Sequence, residues 1–173
     1  MSAYQLNRLN DILHTTSNRS IKTYALHLVV TYHVTSLTTE QLFSYIPFIW
    51  EVDLSGRYNG IRHKIEQEII ARQEIKTIKM LLALLESTNP YLRHIGADLL
   101  NSFNNEIIVE PILHYLHHTT DGFMTKRAAI YALSLFKHQQ NVRQYILGEM
   151  ERNASNKDAF FRANYLTIIE AMI

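Results

Sequence analysis

The sequence predicts an all-α protein made of about five antiparallel helix hairpins, and three observations lead to this fold class. Apolar residues recur at helical spacing along almost the whole chain, and no segment shows the strict alternation of a half-buried strand. The 173 residues include only 5 glycines and 3 prolines, fewer turn residues than a many-stranded β-sandwich needs. Similar helix pairs also recur along the chain, at a spacing of roughly 31 to 40 residues.

Ten helices are predicted, and the short connections between them favour antiparallel neighbours. Their approximate ranges are 3–15, 19–34, 39–53, 58–72, 74–87, 90–103, 105–118, 122–137, 139–152 and 158–172. Thr38 and Gln41 match a capping box, and Asn89 followed by Pro90 matches an N-cap and the first residue of a helix. The fourth and fifth helices are also compatible with one continuous helix, because nothing between residues 71 and 74 breaks a helix.

The second helix of each predicted hairpin carries a repeated pattern of small and large apolar residues. Segment 92–103 aligns with segment 125–136, so that Gly96 matches Ala129, Leu100 matches Leu133 and Phe103 matches Phe136. Segments that begin near residues 21 and 161 follow the same pattern, and the one near residue 61 follows it less well. This alignment places four aromatic side chains in the core: Tyr24, Tyr32, Phe103 and Phe136.

Two prolines occupy equivalent positions in the first helices of two hairpins. Pro47 and Pro111 each lie fifteen positions before a basic residue, Arg62 and Lys126 respectively. Because a proline inside a helix costs about 3 kcal/mol unless the helix bends, the shared position predicts a shared kink.

The chain resembles the HEAT-repeat family, including its short bacterial HEAT-like variants. The resemblance is clearest in Glu110-Pro111-Ile112-Leu113 and in segment 126–133, and it covers most of the chain. It implies a right-handed α-α superhelix, a solenoid formed by a single domain over residues 1–173, whose second helices line a concave groove. One departure concerns an aspartate that the family places six residues before each basic residue to form a ladder between repeats. Those positions are Thr16, Gly56, Ser87, Thr120 and Asn156, although Asp121 lies six residues before Arg127 and indicates a shift of one residue there.

Five basic residues recur in the first turn of the second helices, and we call them the basic row: Lys22, Arg62, Arg93, Lys126 and Arg162. Cations in a first turn oppose the helix dipole at a cost of roughly 0.3–1 kcal/mol each, so a repeated cation needs a partner. Two interpretations stay open. The row either bonds to carboxylates, carbonyls or cap oxygens of neighbouring repeats, or forms a strip that meets carboxylates or phosphates of a ligand.

The concave groove implied by the resemblance carries a mixed polar and aromatic surface. Its rows are His94/Arg127/Ala163, Asp98/Tyr131/Thr167 and Asn101/Ser134/Glu170. Tyrosine and arginine often anchor protein partners. The candidate partner-binding residues are therefore Arg93, His94, Lys126, Arg127, Tyr131 and Arg162, with Lys22 and Arg62 as further positions of the basic row.

The composition and motifs argue against catalysis and against a resident cofactor. The net charge is +1 and cysteine is absent, which excludes a polycation, a disulfide framework and a thiolate metal site. No dinucleotide-binding, phosphate-binding, nucleophile-elbow or zinc-protease motif occurs. His114, His117 and His118 share one helix, but an apolar opposite face predicts that they point to water, so no metal is expected.

These observations predict a non-catalytic module that binds another protein in its concave groove as an adaptor, regulator or inhibitor. One alternative is an enzyme of a type that no motif identifies. The other is nucleic-acid binding, in resemblance to the helical-repeat DNA alkylation-repair glycosylases. Trp50 is the chain's single tryptophan and lies in a first helix rather than on the concave rows, which makes this alternative less favoured. No signal peptide and no membrane-spanning segment is predicted, so the expected location is the cytoplasm.

Overall fold

The computed structural model describes residues 3–53 and 59–154, which form nine α-helices and three short 3₁₀ turns, with no strand in either range. The prediction of an all-α protein is confirmed for these residues. None of their helices combines the length and the apolar character that crossing a bilayer requires. The tenth predicted helix, 158–172, lies outside the described residues. The chain divides into two compact units, residues 1–77 and 78–173, and a single repeat domain over the whole chain stays a prediction.

The first unit contains two helix hairpins. Its helices are α1 (Ala3–Thr15), α2 (Arg19–His33, followed by a 3₁₀ turn at Val34–Ser36), α3 (Thr39–Asp53) and α4 (Asn59–Ala71). Helix α5 (Ile75–Leu85) begins in this unit and ends in the second. Helix α2 packs against α1, α3 and α4, so the second helices of the two hairpins are neighbours. Leu26, Leu42 and Ile65 are fully buried between these helices.

The second unit contains the later helices of the described chain. It contains α6 (Pro90–Leu100), a 3₁₀ turn at Glu106–Ile108 that leads into α7 (Val109–His118), α8 (Phe123–Leu133, followed by a 3₁₀ turn at Ser134–Phe136) and α9 (Gln140–Ala154). Helix α8 packs along α6 and against α7, and α7 packs against α9. Phe103, Ile112 and Ala129 are fully buried among them.

Helix starts agree closely with the cap residues. The Thr38 hydroxyl accepts a hydrogen bond from the Gln41 amide at 3.2 Å, and the Gln41 side chain accepts one from the Thr38 amide at 2.8 Å. This reciprocal pair is the predicted capping box. The Asn89 side chain caps α6 by accepting from the Tyr91 amide at 3.0 Å, and Pro90 is the first helical residue as predicted.

The junction between α4 and α5 is a break rather than a continuous helix. Gln73 has a φ of 44°, in the left-handed region, and its side-chain amide donates to the Ile70 carbonyl at 2.8 Å. A left-handed residue after a helix satisfies the last carbonyls and stops the helix. The continuous-helix alternative is therefore wrong. The sequence did not reveal the break, because the left-handed residue at a helix end is usually a glycine and here is a glutamine.

Replacing Gln73 by Gly is expected to raise the free energy of unfolding by about 0.5–1 kcal/mol, because glycine adopts a positive φ without strain. Chemical denaturation measures the change. The matched control is Gln67→Gly, at an exposed position inside α4, which should lower the free energy of unfolding by about 1 kcal/mol. A loss of stability in both variants would show that Gln73 is not strained.

The two prolines are not equivalent in the structure. Pro47 lies inside the 15-residue helix α3, whereas Pro111 is the third residue of α7, directly after a 3₁₀ turn. In a first turn the missing amide of proline has no intrahelical partner to lose. The prediction of a shared kinked helix is therefore wrong for α7. Its proline lies in the first turn of the helix, directly after the 3₁₀ turn, and not inside a longer helix.

Two of the four aromatic residues assigned to the core are on the surface. Phe103 and Phe136 are 0% and 2% exposed, which confirms their assignment, but Tyr24 and Tyr32 are 60% and 66% exposed. The alignment matched these tyrosines with positions that are buried in other repeats. In the structure, the buried side of α2 is formed by Ala25, Leu26 and Val29 instead. Helix α2 therefore presents large aromatic side chains to solvent.

Candidate protein-binding surface

Arg93, the third member of the basic row, is held by an intramolecular network. Its Nε donates to Asp121 Oδ2 at 2.6 Å, a second guanidinium nitrogen bonds to Asp121 Oδ1, and Nη1 donates to the Ser87 carbonyl at 2.6 Å. The Tyr115 hydroxyl donates to Asp121 Oδ2 at 2.6 Å. The two charged side chains are 19% and 5% exposed, so the pair is largely shielded from water. Arg93 thus fits the first interpretation of the basic row.

The electrostatics of this network follow from its geometry. Hydrogen bonds from Arg93 lower the pKa of Asp121 to about 2, against the cost of burying its carboxylate. Burial, and then the bond to Asp121, raise the pKa of Tyr115 to about 12. The carboxylate also raises the pKa of Arg93. Asp121 is therefore ionised and Tyr115 neutral throughout the physiological range.

Asp121 lies in the connection between α7 and α8, and Arg93 lies on α6 of the preceding hairpin. Their ion pair therefore connects two successive hairpins of the second unit. The sequence singled out Asp121 as a shifted ladder position but gave no partner for it. The hydroxyl side chains of Tyr115 and Thr119, close to Asp121 in the sequence, were a signal that this residue is held in place. The Thr119 hydroxyl accepts a hydrogen bond from the Asp121 amide at 3.1 Å.

The other described members of the basic row have separate surroundings. The Lys22 ammonium lies 5.0 Å from the centre of the Phe48 ring, and Arg62 pairs with Glu66 on its own helix at 2.6 Å. Lys126 is half-buried and makes no ion pair within the described residues. Arg162 lies outside the described residues. The recurring position in sequence therefore corresponds to different local partners.

The remaining candidate residues lie on α6 and α8. His94 is half-buried, with Nδ1 3.4 Å from the Thr125 hydroxyl on α8. The Arg127 guanidinium carbon lies 5.9 Å from the centre of the Phe123 ring, one turn earlier on α8. Tyr131 is 37% exposed. The structure therefore brings His94 against α8, and keeps Arg127 and Tyr131 on the same helix one turn apart.

Two exposed apolar side chains extend this set in a way that the sequence did not indicate. Met124 is 52% exposed and Leu135, in the 3₁₀ turn after α8, is 46% exposed. Met124, Arg127 and Tyr131 follow spacings of three and four residues, which places them on one side of α8, and Leu135 follows four residues later in the 3₁₀ turn. We call Met124, Arg127, Tyr131 and Leu135 the α8 stripe. The opposite side of α8, which includes Ala129 and Leu133, is buried.

The three histidines of α7 are exposed, as predicted. The His114 and His118 rings lie 4.3 Å apart between centres, and His117 packs edge-on against Tyr145 at 5.0 Å. Open grooves of about 1080 and 510 Å³ flank this side of α7, toward α5 and α9 respectively. Among the described residues no group of three or more histidine, aspartate or glutamate side chains is arranged to hold a metal ion.

No protein-family model matches the chain, and no curated protein matches it.

Proposed function

We propose that this chain is a non-catalytic module that binds another protein through the α8 stripe. The observation that carries the proposal is the exposure of Met124 and Tyr131 on the side of α8 that holds Arg127, together with exposed Leu135 in the turn that follows. Methionine, tyrosine and arginine are enriched at protein interfaces, and large apolar side chains that recur on one exposed helix side are typical of docking sites.

The proposed architecture is a HEAT-like solenoid of stacked hairpins. It is supported within each unit by the packing of second helices against each other, α2 against α4 and α6 against α8. The Arg93–Asp121 pair supports it as well, because it joins successive hairpins as a ladder would. A preformed helical surface loses little conformational entropy when it binds, which favours a protein partner. Cytoplasmic location stays a prediction.

Nucleic-acid binding is the weaker proposal, since two of the cations that it would use are engaged within the chain. Arg93 and Arg62 both form ion pairs, and a cation that already neutralises a carboxylate contributes little to the binding of phosphates. Binding to duplex DNA at two salt concentrations distinguishes the two functions. Tight binding that weakens steeply with salt would overturn the protein-binding proposal.

A photo-crosslinking amino acid placed at position 131 is expected to capture a specific protein from the native cell extract. The same group at position 147 is the control, because Leu147 is exposed on a different helix, α9. Replacing Met124 and Tyr131 together by Ser should weaken binding of the captured protein about 100-fold, with about 2 kcal/mol lost from the free energy of unfolding because both side chains are partly buried. Capture of the same proteins from both positions would contradict the proposal.

A further inference from the structure

Beyond its first turn, the side of α2 that faces solvent carries two large aromatic side chains and no lysine, arginine, aspartate or glutamate. Tyr24, Leu28 and Tyr32 are spaced by four residues, which places them in one line along the helix. Ile21 lies one turn before them and is 48% exposed. From residue 23 to residue 33, α2 carries no lysine, arginine, aspartate or glutamate. An exposed helix face that is this apolar is typical of a docking surface rather than of a solvated one.

A groove adjoins this line of side chains. It lies between α1 and α2, has a volume of about 320 Å³, and is lined by Gln5, Arg8, Leu9, Ile12 and Leu28. Leu28 belongs both to the groove and to the aromatic line, so the two are continuous. We call the residues of the groove together with Ile21, Tyr24 and Tyr32 the α1–α2 surface.

Arg8 is the one charged residue among those that line the groove. It is exposed and forms no ion pair or hydrogen bond with any side chain in the described ranges. From residue 4 to residue 33 the other charged residues are Asp11, Arg19 and Lys22, which leaves the region with an excess of positive charge. A ligand of this surface therefore gains from carboxylates placed beside its apolar side chains.

We propose that the α1–α2 surface is a docking site for an acidic amphipathic helix of a partner protein. A groove between two packed helices accepts a third helix, whose apolar residues at positions i, i+3, i+4 and i+7 bury against it. Its carboxylates meet Arg8. This site lies in the first unit, shares no residue with the α8 stripe and does not depend on the proposed function of that stripe.

Two other occupants fit the surface less well. A second copy of the chain would bring two Arg8 side chains to a shared interface, and like charges disfavour that arrangement. A nucleic acid could stack on Tyr24 and Tyr32, but Arg8 is the one charged residue that lines the groove, and a single cation neutralises few phosphates.

The test is selection of a displayed library of helical peptides, with randomised charges and apolar positions, on the immobilised full chain. We expect the enriched peptides to be acidic and to carry the apolar spacing of an amphipathic helix. Tyr24→Ser combined with Tyr32→Ser should weaken the best peptide about tenfold or more, while Leu147→Ser, at an exposed position of α9, should not. Arg8→Glu should reverse the charge preference, and Arg143→Glu, an exposed cation of α9, should leave it unchanged.

Several results would overturn this proposal. The first is that the library yields no enriched sequence, and the second is that the enriched peptides show no acidic excess. The third is that the best peptide binds the double tyrosine variant as tightly as it binds the unchanged chain. Self-association of the free chain that is abolished by the tyrosine substitutions would assign the surface to a second copy instead. Tyrosine-dependent binding of a single-stranded oligonucleotide would assign it to nucleic acid. Circular dichroism of each variant confirms that the fold is intact, since both tyrosines are mainly in solvent.

Discussion

Replacing Asp121 by Asn is expected to lower the free energy of unfolding by about 3 kcal/mol. The substitution keeps the size of the side chain but removes the charge that compensates Arg93, which is only 19% exposed. The Asp121 carboxylate accepts three hydrogen bonds, two from Arg93 and one from Tyr115. The asparagine amide has a single acceptor oxygen and cannot accept all three with the same geometry. Urea denaturation at neutral pH measures the change.

The matched control is Asp98→Asn, which removes the same charge from an exposed position of α6. Its expected effect is below about 0.5 kcal/mol. A double-mutant cycle with Arg93→Met separates the pair from its surroundings, because replacing both partners should cost less than the sum of the single substitutions. Strict additivity of the two single effects would refute a direct role for the ion pair.

The same residue predicts how stability depends on pH. The pKa of Asp121 is lowered to about 2 in the folded chain, below its ordinary value of 3.8. Its contribution, about 2 kcal/mol, is therefore complete above the pKa of the unfolded chain and disappears as the pH falls through the folded value. The Asp121→Asn variant should lack this part of the acid dependence. Measurements of the free energy of unfolding between pH 5 and pH 2 compare the two proteins.

Replacing Gly96 by Ala is expected to destabilise the second unit by about 2 kcal/mol, although alanine is the better helix former by about 1 kcal/mol. A Cβ atom at this position would lie 2.9 Å from the Leu81 carbonyl oxygen and 2.9 Å from Leu84 Cβ. The first of these atoms is backbone and cannot rotate away, so α5 and α6 would have to separate. The close approach of the two helices thus requires glycine.

Gly148→Ala is the control for this prediction. A Cβ atom there would meet only the flexible end of the Arg152 side chain, at 3.6 Å or more. The control should therefore stabilise the chain by up to about 1 kcal/mol through helix propensity alone. Thermal unfolding followed by circular dichroism compares both variants. Equal stabilisation by the two substitutions would mean that α5 and α6 do not pack closely at Gly96.

Local signals were sufficient to predict where helices begin. Thr38 with Gln41, and Asn89 with Pro90, act within one turn, so their hydrogen bonds depend on neighbours that the sequence itself supplies. The junction at Gln73 shows the limit of such signals. A left-handed residue that is not glycine carries no mark in the sequence, so the sequence was compatible with either a break or a continuous helix between α4 and α5.

The candidate binding surface was predicted only in part. Arg127 and Tyr131 lie together on α8 because helical spacing fixes their relation. Met124 and Leu135 were missed, because an exposed methionine or leucine on a helix gives the same sequence pattern as a buried one. Only the positions of the neighbouring helices distinguish the two cases. Tyr24 was assigned to the wrong side of α2 for the same reason.

The sequence by itself determined that this chain is helical, where most of its helices begin, and which residues share a helix side. These properties depend on contacts within a few residues along the chain. Only the tertiary structure decided that Arg93 pairs with Asp121, that α5 and α6 meet at Gly96, and that Tyr24 and Tyr32 face solvent. Each of these depends on which helix lies against which, and the free energy of burial is set by that neighbour rather than by the residue alone.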